Sequence, residues 1–226
     1  MKGKFIVIEG TDGSGKKTQA KILCEKLNEA GINCIVQSFP NYDSPACTPV
    51  KMYLNGEFGS DPGDVNGYAA AAFYAVDRYA SFKKDWGKAY DDGAVILCDR
   101  YATSNAVYQM TKVPQCEREE YLRWLEELEY GRLGIPRPDL VIYLDVPTDI
   151  SQSLMSRRYD GDESKKDLHE RNLAYLAQCG ESARYSAMKL NWNVISCVRD
   201  GKMRSIDDIS AEIAKLTDKL ILNAEF

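Results

Sequence analysis

Histidine is nearly absent: the 226-residue sequence holds one, His169. A metal centre built on imidazoles is therefore not expected. The seven cysteines are scattered, odd in number and include no C-x-x-C pair. Neither a disulfide framework nor a zinc ribbon is expected, and reduced thiols in a cytoplasmic protein fit the pattern. No apolar run is long enough to span a bilayer, so no membrane partner is expected. The start, MKGKFIVIEG, reaches Gly10 after a short apolar run and reads as a first strand rather than a signal peptide. Repeats, low-complexity tracts and Gly/Ser linkers are also missing, and a single domain over residues 1–226 is expected. Positive charge is not in excess: 29 Lys and Arg against 34 Asp and Glu give a net charge of -5. Such a chain has no general field for nucleic acid, and anionic ligands must be met by local basic clusters.

Short apolar runs alternate with helical patterns. Strands are expected over residues 5–8, 34–39, 94–98, 140–145 and 194–197. Helices are expected over 17–30, 64–90, from about 148, from 167 towards 188, and over 206–220. The strands are apolar almost throughout, which predicts an α/β fold: a parallel sheet of about five strands with helices on both faces. Ligands in such a sheet sit beyond the carboxyl ends of the strands, where Gly10, Asp99, Arg100 and Asp145 fall.

Gly10-Thr11-Asp12-Gly13-Ser14-Gly15-Lys16-Lys17-Thr18 follows the first strand and opens a helix, the context a phosphate-binding P-loop requires. Its glycines let backbone N–H groups turn inward onto oxyanions, and the helix adds its positive end. Lys16 supplies a cation for the β- and γ-phosphates of ATP. One position departs from the motif. Lys17 stands where a Ser or Thr hydroxyl would ligate Mg²⁺, and an ammonium has no lone pair to offer. Either Thr18 takes over, or the metal is held elsewhere and Lys17 meets phosphate. The second is favoured, because adjacent helical residues point about 100° apart. Asp99, at the end of the third strand, is then the metal-holding candidate, with Arg100 beside it as a fork for phosphate. The charged segment 156–167, with Arg157, Arg158, Lys165 and Lys166, lies where a phosphotransferase needs a lid against water.

The ordered set resembles the thymidylate kinase family over nearly the full length. The resemblance is carried by Glu9-Gly10-Thr11-Asp12-Gly13-Ser14-Gly15-Lys16 with Thr18-Gln19, and by Phe39-Pro40-Asn41-Tyr42. It continues in Asp99-Arg100-Tyr101 with Ser104, Asn105 and Tyr108, and in Leu133-Gly134-Ile135-Pro136-Arg137-Pro138-Asp139. It implies a P-loop nucleotide kinase that moves the γ-phosphoryl of Mg-ATP to dTMP, and a homodimer. Lys16, Arg100, Asp12, Arg157 and Arg158 are the implied catalytic set. Tyr74 would stack on thymine and Arg78 would bind its carbonyl oxygen. Asn105 would meet the base edge, and Tyr108 would crowd the sugar 2′ position. Asp12 would bind the 3′-hydroxyl or a metal water. Tyr42 and Arg100 would hold the acceptor phosphate, with Ser104 nearby. Without the resemblance, Tyr74 reads as core and Arg78 as a surface charge. His169 stands where the family often has an aromatic residue near the sugar. Gly13, rather than Arg, implies that the lid supplies the catalytic arginine. Another nucleotide or deoxynucleoside kinase, or a non-catalytic ATP-binding switch, remain the alternative functions.

Overall fold

The computed structural model describes residues 2–158, 167–170 and 172–222. The expected lid residues Lys165 and Lys166 lie outside the described residues. Arg157 and Arg158 end a helix, but their side chains lie outside the description.

Strand β1 (Phe5–Glu9) leads into helix α1 (Lys16–Glu29), β2 (Cys34–Ser38), α2 (Thr48–Leu54), α3 (Gly67–Ser81), α4 (Gly87–Asp91) and β3 (Val95–Asp99). Then follow α5 (Thr103–Tyr108), α6 (Arg118–Glu126), β4 (Leu140–Asp145), α7 (Thr148–Arg158), α8 (Leu173–Lys189) and β5 (Asn193–Ser196). A small hairpin, β6 (Val198–Arg199) and β7 (Lys202–Met203), precedes α9 (Ile206–Leu222). The five long strands form one parallel sheet in the order β2-β3-β1-β4-β5, as the apolar runs predict. The chain leaves β1 towards one edge and returns later to fill the other. The carboxyl end of β1 is therefore the topological switch point, and the P-loop starts there.

All five residues of β1 are buried because alternate side chains enter different cores. Ile6 and Ile8 pack with Leu23 and Leu27 of α1 and Ile213 of α9. Phe5 and Val7 pack with Trp86, Tyr90 and Tyr101 on the opposite face. Each such side chain contributes about 1.5–3 kcal/mol by leaving water.

The long helix expected over 64–90 is three pieces. Asp61 and Asp64 close a tight turn reciprocally, and the Asn66 side chain caps α3 by accepting from Ala69 N at 2.9 Å. At the other end the chain widens over Phe82–Trp86, so that Gly87 N bonds to Phe82 O. A Cβ on Gly87 would lie 2.3 Å from that oxygen, which is why glycine stands there. The helix expected from 167 begins instead at Leu173, where the Asn172 side chain caps it through Tyr175 N. The expected strand 194–197 is shifted by one residue, to Asn193–Ser196.

Candidate active site

Gly13 and Gly15 take φ values of 80° and 88°, the left-handed region in which the loop after β1 curls. Helix α1 then opens with no side-chain cap and no acid in its first turn, so its free N–H groups face the cleft. A Cβ on Gly13 would sit 2.5 Å from Ser151 O and 3.0 Å from Met155 Cγ. Helix α7, which ends at Arg158, thus lies directly over the loop. Lys16 is buried, and its Nζ donates to Thr11 O at 2.8 Å. Burial and Arg100 bring its pKa down to about 8, against the pull of Asp99, Asp12 and Glu9. The ammonium is therefore still largely charged at neutral pH. Lys17 and Thr18 are exposed and line the same cleft as Lys16 and Asp99.

Asp99 is buried, and its Oδ1 has no hydrogen-bond partner among the described residues. No group of three or more His, Cys, Asp or Glu among the described residues could cage an ion. A carboxylate that lines the phosphate cleft and leaves one oxygen unpartnered fits Mg²⁺, which binds through one or two carboxylates plus substrate phosphates.

A second cavity adjoins the cleft. Asp12, Tyr42, Tyr74, Arg78, Arg100, Ser104, Asn105, Tyr108 and His169 all line it. The two spaces share Asp12, Phe39, Pro40, Tyr42, Arg100 and Asp167 as a common wall. Arg100 follows β3 with φ 69°, a conformation rare for a side chain of its size. Three contacts hold it there: Asp12 Oδ1 at 2.5 Å, Tyr108 Oη at 3.0 Å and Gly10 O at 3.3 Å. Tyr108 in turn donates to Asp12 Oδ2 at 2.9 Å. Burial alone would raise the Asp12 pKa, but Arg100, Lys16 and the Tyr108 bond bring it down to about 2. Asp12 is thus ionised, tied to Arg100 and placed on the wall between the two spaces.

Asp145 does not join this group. Its carboxylate accepts from Tyr143 Oη at 3.4 Å and lies 3.5 Å from Arg184 Nη1, and it lines neither space.

The thymidylate kinase family model matches residues 8–203. A probable thymidylate kinase of Pyrococcus horikoshii is 31% identical over 222 residues, covering 98% of this chain and 99% of that one. The thymidylate kinase of Mycobacterium tuberculosis is 32% identical over 180 residues, 78% of this chain and 82% of its own. The chain belongs to the thymidylate kinase family. It is accordingly an ATP-dependent nucleoside monophosphate kinase. Its fold matches a solved Candida albicans thymidylate kinase with a TM-score of 0.72 at 21% identity, covering 96% of this chain and 92% of that one.

Against this family background, Arg78 is not the surface charge that its residue type suggests. It is fully buried and forms a two-pronged ion pair with Glu129, whose carboxylate is also inaccessible. Asn105 Nδ2 reaches Ala71 O at 3.3 Å and Glu129 Oε1 at 3.5 Å. Glu129 comes from the wide helical turn Glu127–Arg132, and sequence reasoning missed it. Glu9 was quoted within the motif but given no task. It is fully buried and accepts from Gly10 N, Thr103 Oγ1 and Ser104 Oγ, with Arg100 Nη1 at 3.7 Å. The Ser104 hydroxyl of this kinase is therefore committed to Glu9. Its position at the end of β1, next to Gly10, is the one signal that could have singled Glu9 out.

Proposed function

We propose that the enzyme transfers the γ-phosphoryl of ATP to dTMP, giving ADP and dTDP. One observation carries this: the cavity lined by the expected acceptor residues shares with the phosphate cleft a wall that contains Asp12 and Arg100. ATP phosphates would lie on the loop 10–18, with Lys16 at their reacting end. The dTMP base would lie against Tyr74, with Arg78 and Asn105 at its edge. The sugar would lie by Tyr108 and His169. Tyr42 and Arg100 would hold its phosphate, and Ser104 would support them through Glu9.

The acceptor oxygen is already an anion, so no strong base is needed. Positioning and neutralisation of charge do the catalysis. Lys16 and Arg100 spread the charge that builds up on the transferring group. Arg157 and Arg158, at the start of the lid 156–167, would join them on closure and exclude water. Asp99, with its unpartnered Oδ1, would hold Mg²⁺, which supplies charge neutralisation at the phosphates. Lys17, exposed in the cleft, would meet phosphate rather than metal.

The kinase would act as one domain, in the cytoplasm, and as a homodimer. Helix α3 supports the dimer with an exposed stripe of Tyr68, Ala72, Val76 and Tyr79. A stripe at that spacing occupies one helical face; Ala72 and Val76 at its centre are exposed among the described residues, while the Tyr68 ring leans on Tyr121 and Trp124. Light scattering at micromolar concentration should give twice the chain mass.

An Mg-ATP-dependent assay with dTMP, dUMP, UMP, CMP and AMP tests the reaction. Turnover should be fastest with dTMP. Turnover of another acceptor without dTMP would overturn the substrate, and ATP binding without any turnover would favour a switch.

A further inference from the structure

Three aromatic rings enclose His169. Tyr108 stacks on it at 5.8 Å and 10°, Tyr53 meets it edge-on at 5.3 Å, and Tyr175 lies at 4.9 Å. Its Nε2 is 2.7 Å from Tyr53 Oη. Behind Tyr53 stands Lys112, whose Nζ donates to the same oxygen at 2.6 Å and sits 4.7 Å from the ring centroid. Among the described residues, Tyr53 is the sole hydrogen-bond partner of that ammonium. The three residues come from separate elements: α2, the turn Gln109–Lys112 and the turn that precedes α8.

Counting hydrogens fixes the direction of this chain. An ammonium has donors only, so the Tyr53 oxygen accepts from Lys112. The hydrogen of Tyr53 then has two destinations, His169 Nε2 at 2.7 Å or Pro62 O at 3.4 Å. The shorter contact takes it. Burial, reinforced by Lys112, holds the imidazole neutral at pH 7, with its pKa brought down to about 3. In a neutral ring whose Nε2 accepts, the proton sits on Nδ1. That nitrogen has no hydrogen bond among the described residues, and the ring lines the cavity beside Asp12 and Tyr108.

We propose that Lys112 is a positioning residue for the acceptor. Acting through the Tyr53 hydroxyl, it fixes His169 as the Nδ1–H tautomer, and the ring offers one donor to an oxygen of the bound nucleoside monophosphate. The nucleotide contact rests on the acceptor-site reading above; the tautomer does not.

The single histidine makes the test direct, because one set of imidazole resonances is read without assignment. Untagged protein with ¹⁵N-labelled histidine should show a neutral ring protonated on Nδ1 at pH 7. Tyr53→Phe and Lys112→Met should shift the population to the Nε2–H form. Both should raise KM for dTMP about fivefold, the worth of one hydrogen bond, while KM for ATP stays put. Lys112→Arg keeps a donor and should restore both readouts. A wild-type ring that is charged or protonated on Nε2 would overturn the proposal, as would a tautomer unmoved in both variants. If Lys112→Met does not fold, Tyr53→Phe, Lys112→Arg and the wild-type spectrum still decide. Titration with dTMP separates the two layers. An Nδ1–H ring that dTMP leaves unperturbed overturns the nucleotide contact and leaves the tautomer device standing.

Discussion

The phosphate cleft and the neighbouring cavity are built on opposite principles. The cleft is built around the consecutive loop residues 10–18, whose backbone curls inward and from which Lys17 and Thr18 project exposed; Asp99, Arg100 and Met155 close it from other segments. The cavity gathers side chains from distant parts of the chain, and its two arginines are already paired. Arg78 is tied to Glu129 across 51 residues, and Arg100 to Asp12 across 88. Backbone N–H groups accept any polyphosphate, so the cleft gives affinity with little selectivity. On the proposed reading, selectivity would sit in the cavity, where a misfitting base would leave buried polar groups unpaired. The comparison explains why a short motif suffices for one substrate and a whole fold is needed for the other.

The strongest way to test this division is Lys16→Met. Loss of the cleft's buried cation should lower kcat about a thousandfold, while dTMP binding measured by calorimetry persists. If dTMP binding also vanished, the two regions would not be separable. Glu129→Ala strikes the other side. It strands the Arg78 guanidinium in the interior and should cost about 3–4 kcal/mol of stability in urea unfolding. The folded fraction should retain ATP binding.

Asp167 belongs to both regions, and its effect should be smaller. Burial raises its pKa to about 7, with Asp12 and Glu170 adding to the rise against backbone N–H bonds from Glu170 and His169. A carboxyl whose folded pKa exceeds its unfolded value binds its proton more tightly when folded. Its contribution therefore falls as pH rises from about 4 to about 7. Asp167→Asn removes that slope, and its Tm relative to wild type should rise by about 6 °C between pH 4.5 and 7.5. Lys17→Ser should do least. An exposed charge contributes little, so kcat should change no more than about fivefold in an Mg²⁺ titration.

What the sequence made legible follows the same line. The P-loop could be read because its nine residues are contiguous, and the sheet because buried parallel strands are apolar on both faces. Glu129 could not be read: it lies in the acidic run Glu126-Glu127-Leu128-Glu129, and only the wide turn there aims it inward. Tyr53 and Lys112 escaped for the same reason, being linked to His169 by packing rather than by spacing. The long helix was overdrawn because its break depends on a backbone bond from Gly87 to Phe82 that no periodicity reveals. The resemblance put Arg78 and Tyr74 at the cavity, which both line; for Arg78 residue type alone suggested the surface, while Tyr74 also packs against the core as its residue type suggests.

Glu9 has a consequence for thermal motion. Its single carboxylate is bonded to the first N–H of the phosphate loop and to Ser104, and it lies within ion-pair reach of Arg100, so it clamps both sides of the shared wall. On the proposed reading, this shared anchor would tie the fluctuations of the ATP and dTMP sites together at their point of contact. In-line transfer depends on the gap between two oxygens, and a common anchor narrows the spread of that gap more than two rigid but independent sites could.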